Sequence, residues 1–370
     1  MRILHISSAR ALGGGERHLA DLANALARRG HDVHAVLAPT SPLRAELSAL
    51  PPQNIFTLPL RNALDVPSAH GLARLVRRLE IEIVHAHMAR DYPLASYAAR
   101  RNRRARLFIT RHVLFHLNRL HVFTLSSVSR VIAVSRAVAS ALEAQRIFPA
   151  NKISVVHNGI DIERFDRAAR GFDREAFRRT LPRYAPGRLL VGTVGEFKAL
   201  KGQEEFLRAA AQLAERFPRA DFIIAGADFS RTGETRAHVE RLIHELGLET
   251  RVHLTGWLDD VAPLLCALDV FVSASHTESF GLAIVEAMAS GLAVVATATE
   301  GARESIEDDA SGLLVPIGDT EALARAIARL LEDPVERARL GERARRRARE
   351  RFSLEQMVAA TERLYRESLT

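Results

Sequence analysis

"HTESFGLAIVEAMASGLAVVAT", residues His276–Thr297, decides how this chain is read. From Gly281 to Thr299 the run is apolar except for Glu286, and its length approaches the roughly 20 residues of a membrane span. Gly291 divides it. Gly281–Ser290 reads as a helix, and "LAVVAT" after the glycine reads as a strand. A helix that turns into an apolar strand belongs to a βαβ unit, so the stretch is buried α/β core. It also carries two glutamates, Glu278 in the loop before the helix and Glu286 about a turn and a half inside it. A buried carboxylate is costly unless something satisfies it.

The same alternation extends in both directions. Ile3–Ser7 reads as a strand, followed by a glycine loop and the periodic stretch Glu16–Arg29. "GHDVHAVLA", "IEIVHAH", "RLFITRH", "RVIAVS" and "KISVVHNGI" read as further strands, with "HGLARLVRRLE" as a helix. The pattern restarts near Arg188 with "RLLVGTVG", a helix over Gln203–Arg216, "DFIIAG", a helix over Glu234–Leu246, "RVHLTG" and "DVFVSAS". Strands alternating with helices predict parallel, doubly wound sheets. A length of 370 residues predicts two of them. The expected domains are residues 1–170, joined by a C-terminal helix over 353–370, and residues 171–352. Phe165–Gly187, with Pro182 and Pro186, reads as the linker. Ser353 with Gln356 three residues on has the pattern of a capping box.

Composition narrows the function. One cysteine, Cys266, excludes an intramolecular disulfide and a cysteine-rich zinc site, and fits a reducing cytoplasm. The N-terminus lacks the charged-then-apolar order of a signal peptide. Residues 1–170 carry 25 Arg and Lys against 12 Asp and Glu, a net of +13; residues 171–370 carry 27 against 32, a net of −5. Such asymmetry points one half at an acidic partner, or reflects an Arg-rich proteome. Nucleic acid is a poor candidate, because the basic half lacks interleaved aromatics. "RRNRRAR" (Arg100–Arg106) precedes "RHVLFHLNRLHVF" (Arg111–Phe123). The second stretch reads as an amphipathic segment that turns Val113, Leu114, Phe115, Leu117 and Leu120 into an anionic membrane surface. The alternative is a solvated basic face with those apolar residues in the core.

In a doubly wound sheet, ligands sit at the carboxyl ends of the strands. Phe280, Gly281 and Leu282 would offer backbone N–H groups at a helix N-terminus, an anion site. Glu278 and Glu286 flank it, and carboxylates accept hydrogen bonds from sugar hydroxyls. The order sugar, diphosphate, ribose is that of a nucleoside diphosphate sugar. On spacing alone the plainer reading also stands, in which Glu278 caps the helix and Glu286 is a satisfied core residue. Gly14 and Gly15 lie in "ALGGGERH", which is not the G-x-G-x-x-G of a dinucleotide site. His85 and His87 alternate on one strand, so they should face opposite sides and make a poor metal pair. No D-x-D sequence occurs.

"TESFGLAIVEAMASG" resembles the E-x7-E signature of glycosyltransferase family 4, retaining enzymes of the two-domain GT-B fold. The resemblance continues in order through "GGGERHLADLANALARRGHDV" (Gly13–Val33), "VHAH", "VIAVS" and "VVHNGIDIERF". It then runs through "KGQ" (Lys201–Gln203), "GWLDDVAPLLCALDVFVSAS", "GARESI" and "GLLVPIGD". It implies two Rossmann-like domains facing a cleft, with the C-terminal helix crossing back to the N-terminal domain. It assigns the donor sugar to Glu278, the ribose to Glu286, and the departing diphosphate to Lys201. Gly14 and Gly15 become part of the donor–acceptor cleft, and His112, at a strand end, orients the donor or relays a proton; a surface histidine is the alternative. The family usually has an arginine directly after the glycine where this chain has Gly195–Glu196, so Lys198 would compensate or Lys201 would act alone.

These expectations describe a retaining, metal-independent glycosyltransferase. It would move a sugar from a nucleoside diphosphate sugar to a lipid-linked or cell-envelope glycan of the lipopolysaccharide, capsule or exopolysaccharide type. It would need no cofactor and work in the cytoplasm, peripheral to the inner leaflet. The competing readings are another GT-B enzyme, such as a nucleotide-sugar epimerase, and a non-catalytic nucleotide-sugar-binding protein.

Overall fold

The computed structural model describes every residue of the chain except Arg183 and Arg231. It divides into two compact units, residues 1–159 with 354–370, and residues 160–353.

In the first unit seven parallel strands form one sheet. They are β1 (Arg2–Ser7), β2 (Asp32–Leu37), β3 (Ile55–Thr57), β4 (Ile83–Ala86), β5 (Arg106–Arg111), β6 (Val128–Ala133) and β7 (Ile153–Val155), in the order β3-β2-β1-β4-β5-β6-β7. The central strands are buried on both faces, which is why they read as near-continuous apolar runs. The strand order reverses between β1 and β4. The helix Leu354–Leu369 belongs to this unit. Its Met357, Val358 and Tyr365 join the core formed by Ile3, Leu19, Leu22 and Phe108. Tyr365 is fully buried, edge-on to Phe108, and its hydroxyl lies 2.5 Å from His85 Nδ1. At the helix surface, Glu362 meets Arg29 at 2.6 Å and His31 at 2.7 Å.

The second unit repeats the plan with six parallel strands. They are β8 (Leu189–Val194), β9 (Ala220–Ala225), β10 (Val252–Gly256), β11 (Val270–Ser273), β12 (Ala293–Thr297) and β13 (Leu313–Val315), in the order β10-β9-β8-β11-β12-β13. Here the order reverses between β8 and β11. The opening stretch supplies the helix Leu282–Ala289 and strand β12, joined through Gly291.

The contacts divide at Gly159/Ile160, eleven residues before the expected boundary at 170. The helix Ile162–Ala169 packs on helices Ala262–Ala267 and Leu282–Ala289, which places it in the second unit. The expected linker is also structured. Its helix Arg174–Arg178 sends Arg178, 4% exposed, to Asp269 at 2.6 Å and to the carbonyl of Ala267. Pairing of this kind is what permits the Arg178 guanidinium to be buried while the rest of the helix stays half-buried or exposed.

Candidate active site

Two loops meet at the β8/β11 reversal, the place where open α/β sheets bind ligands. The loop after β8 closes in a short turn, Ala199–Lys201, and Gly202 follows with φ of +68°. A Cβ on Gly202 would stand 2.0 Å from the Ala274 carbonyl oxygen, so only glycine lets this loop press on the end of β11. His276 N–H donates to the Leu200 carbonyl at 2.9 Å, and His276 Nε2 lies 2.7 Å from Glu205. The result is an ion pair. Lys201 Nζ lies 2.7 Å from Glu278 Oε1, and the Ser275 hydroxyl donates to the same oxygen at 2.9 Å. The Thr297 hydroxyl in turn bonds the Ser275 carbonyl. Gly301 backs the Glu278 loop from behind. Its N–H donates to the Glu278 carbonyl at 3.1 Å, and a Cβ there would come within 2.7 Å of both that oxygen and Phe280 N.

The helix Leu282–Ala289 starts from Gly281, whose φ is +86°, without a side-chain cap. Its first N–H groups therefore keep the capacity to bind an anion. Phe280, just before it, is buried and edge-on to Phe352 at 5.5 Å. Glu286 is 8% exposed, within the buried face of the helix. Glu278, Phe280, Gly281, Leu282 and Glu286 thus share one short loop–helix element, and Lys201 joins it through Glu278. Lys198 does not. Its ammonium lies 2.7 Å from Glu196, so the anion at the unusual position is matched locally by a largely exposed cation. Sequence reasoning named neither Ser275, Gly202 nor Gly301 as functional, although all three fall inside quoted motifs.

In the first unit, the helix Gly14–Arg28 begins two residues before the expected Glu16, and Gly13 precedes it in extended conformation without a side-chain cap. A Cβ on Gly15 would touch the His112 ring at 3.4 Å, so Gly15 and His112 adjoin. His112 follows β5 and is partly covered, and burial presses its imidazole well below the usual histidine range. It is not the surface histidine of the alternative reading. The expectation for His85 and His87 is overturned. Residues two apart in a strand share a face, so His85 and His87 fall on the same side rather than on opposite ones, and the two rings lie 4.2 Å apart.

The stretch Arg111–Phe123 forms no long amphipathic helix; only His121–Thr124 is helical. Leu117 is buried at 6% exposure, contrary to expectation, whereas Phe115 at 66% and Leu120 at 65% face out, joined by Phe123 at 75%. Arg100 bonds the carbonyls of Phe123 and Thr124 at 2.9 and 2.6 Å. Val122 lines a cavity of about 600 Å³ with Leu125, Val128, Ile147 and Phe148. Among the described residues, no helix is long and apolar enough to cross a membrane.

Comparison with known proteins matches both units. Residues 12–164 match the family described as Glycosyltransferase Family 4, and residues 173–347 that described as Glycosyl transferases group 1. The chain is 28% identical to N-acetyl-alpha-D-glucosaminyl L-malate synthase of Bacillus anthracis, across 96% of this chain and 94% of that protein. It is 29% identical to the lipopolysaccharide core biosynthesis glycosyltransferase LpsE of Rhizobium meliloti, across 94% of each. The solved structure of Anabaena Alr3699/HepE in complex with UDP-glucose superposes with a TM-score of 0.84 at 25% identity, covering 98% of both chains. With both units matched nearly end to end, and the paired sheets in the GT-B arrangement of strands, the chain belongs to glycosyltransferase family 4.

Proposed function

We propose that this glycosyltransferase moves a sugar from a nucleoside diphosphate sugar to an acceptor hydroxyl with retention of anomeric configuration. The observation that carries the reading is the Lys201–Glu278 pair at the β8/β11 reversal, beside the uncapped start of the helix that bears Glu286. The diphosphate sits on the backbone N–H groups of Phe280, Gly281 and Leu282, where the helix dipole favours negative charge. Glu286 accepts from the ribose hydroxyls and Glu278 from the sugar. Lys201 turns from Glu278 to the diphosphate as charge develops on it. The acceptor hydroxyl attacks the anomeric carbon on the face from which the phosphate departs. The bond from that carbon to the phosphate oxygen breaks, and the hydroxyl proton passes to the phosphate. Lysine and helix dipole supply the electrostatic work, so the transfer needs no metal. Gly14, Gly15 and His112 serve the acceptor-side unit, His112 by orienting the donor or relaying a proton.

Support for a lipid-linked acceptor comes from the exposed face of the first unit. Phe115, Leu120 and Phe123 beside Arg100 form an apolar and cationic patch that suits the inner leaflet of a cytoplasmic membrane and a lipid-linked glycan. The lipopolysaccharide assignment of the Rhizobium relative points the same way. Binding to anionic vesicles that weakens with salt, and falls when Phe115 and Phe123 are changed to Ser, supports this acceptor; salt-insensitive binding or none removes it.

The donor is tested by thermal shift over a panel of nucleoside diphosphates, starting with UDP because the Anabaena protein holds UDP-glucose. Glu286→Ala should weaken nucleotide binding. Glu278→Gln should keep it and lose turnover. If both variants bind and turn over like the parent, the donor assignment fails. Binding without turnover in the parent would instead identify a non-catalytic binder.

A further inference from the structure

The carboxyl end of the first sheet gathers five imidazoles, of which the transfer uses only His112. His5 lies on β1, His85 on β4, His87 and His112 directly after β4 and β5, and His18 in the second turn of the Gly14–Arg28 helix. This is the β1/β4 reversal, the ligand position of the sheet. Ring centroids lie 5.3 Å apart for His5 and His87, 5.8 Å for His18 and His87, 4.8 Å for His18 and His112, and 5.9 Å for His87 and His112.

Their nitrogens are unevenly satisfied. Both nitrogens of His85 are engaged, with the Tyr365 hydroxyl at 2.5 Å and the Thr110 hydroxyl at 2.7 Å. His5 Nδ1 and His87 Nε2 face each other at 3.1 Å. His5 Nε2, His87 Nδ1 and His112 Nε2 have no partner, and His18 has only the Asn158 side chain beside it. His5, His18 and His87 are 0%, 3% and 5% exposed, so these rings lie away from bulk solvent. Folded proteins tolerate few such groups, each costing about 1–3 kcal/mol.

We propose that His18, His87 and His112 bind a divalent transition-metal cation of the zinc type, with His5 holding His87 from behind. One donor atom from each of the three lies within 4.8 Å of the others. A tetrahedral zinc with ligands at about 2.0–2.1 Å sets its nitrogens roughly 3.4 Å apart, so modest ring rotations close the set. Three imidazoles with a fourth position left to water form a recurring zinc arrangement, and imidazole selects zinc, copper or nickel over magnesium and calcium. The set His5, His85 and His87 is equally compact, but using His85 breaks one of its two hydrogen bonds. Ligation through His87 Nδ1 leaves its contact with His5 intact, and the chosen set disturbs only the Asn158 side chain beside His18. Buried Arg111 next to His112 opposes a dication and weakens the site without blocking it. The site lies in a different unit from the Lys201–Glu278 pair but shares His112 with the proposed transfer, and a metal-bound His112 can neither orient the donor nor relay a proton, so the cation would occupy this imidazole in place of its part in transfer.

The test uses metal-stripped, tag-free protein titrated with Zn²⁺ against a chromophoric chelator, and with Co²⁺ for its visible spectrum. One equivalent should bind, raise the melting temperature, and give the absorption of nitrogen-ligated cobalt; Mg²⁺ should do neither. His18→Ala and His112→Ala should each weaken Zn²⁺ at least tenfold, and the double variant should abolish the cobalt spectrum. His5→Ala, acting through His87, should weaken it roughly 10–100-fold. Exposed His244→Ala should change nothing. Equal Zn²⁺ binding by the parent and the folded double variant, or no binding by the parent, overturns the proposal.

Discussion

Replacing Lys201 by alanine separates a stabilising contact from a catalytic one. The Lys201–Glu278 pair is close, at 2.7 Å, but its side chains are 33% and 14% exposed. A partly exposed pair of this kind nets about 1 kcal/mol, because hydration and side-chain entropy offset most of the attraction. Glu278 also keeps the Ser275 hydroxyl. The variant should therefore melt no more than about 2–4 °C below the parent. If Lys201 neutralises the departing diphosphate, the loss in turnover should be about 2–4 kcal/mol, roughly 30- to 900-fold. The assay is release of nucleoside diphosphate from whichever donor most raises the melting temperature, measured beside the thermal scan. Lys198→Ala should cost much less, since Lys198 is engaged by Glu196. Turnover within threefold of the parent would refute the assignment. So would an activity loss that simply follows a large drop in melting temperature. Equal losses for the two lysines would move the role to Lys198. Glu278→Gln supplies a corollary: with Lys201 released from its carboxylate, nucleotide should bind as tightly as in the parent or more so.

Four further outcomes follow from other parts of the molecule. His112→Ala should lower kcat more than it changes donor KM; a pure KM effect would remove it from the transition state. Gly202→Ala places a Cβ on the Ala274 carbonyl at a positive φ, and should cost well over 1 kcal/mol, read as denaturant midpoint, along with most of the turnover. Tyr365→Phe leaves His85 Nδ1 buried without a partner and should cost about 1–3 kcal/mol; an unchanged midpoint would mean another group takes the bond. Burial pushes the fully buried Asp91 carboxyl from 3.8 up to about 6, with only Ser8 and the Arg90 charge working against it. The folded state thus holds a proton that the unfolded chain has released, so this contribution is complete below about pH 3.8 and lost as pH rises through 6. Asp91→Asn keeps an acceptor for the Ser8 N–H. It should match the parent at pH 3.5 and exceed it at pH 7.5 by up to about 3 kcal/mol; a constant difference across that range would contradict the titration.

The strands that organise both sheets were legible because buried parallel strands are apolar throughout, and the helix Gln203–Arg216 has its expected bounds. The edge strands Ile55–Thr57 and Leu313–Val315 were not, since three residues show no period. Glu278 and Glu286 could be singled out because carboxylates interrupt an apolar run. Ser275, the partner of Glu278, could not, because a serine at a strand end carries no signal until the loop folds over it. Arg178 looked like linker because its burial depends on Asp269, 91 residues away. The histidine cluster was hidden for the same reason. Its members range from residue 5 to residue 112, and only the strand order brings them together. The expectation for His87 failed because residues two apart in a strand share a face, so His85 and His87 lie on the same side.

The helix Leu354–Leu369 also sets an order of events during synthesis. Gly159 leaves the ribosome 195 residues before Leu354, an interval of roughly 10–40 s at about 5–20 residues per second. Through that time the first sheet lacks Tyr365, Val358 and Met357, and Phe108 and Leu22 have no cover from them. The second unit is a continuous stretch of chain and can close first. The first unit to be made is therefore the last to be finished, and a nascent chain stalled anywhere within residues 160–353 presents an open apolar face to chaperones and proteases.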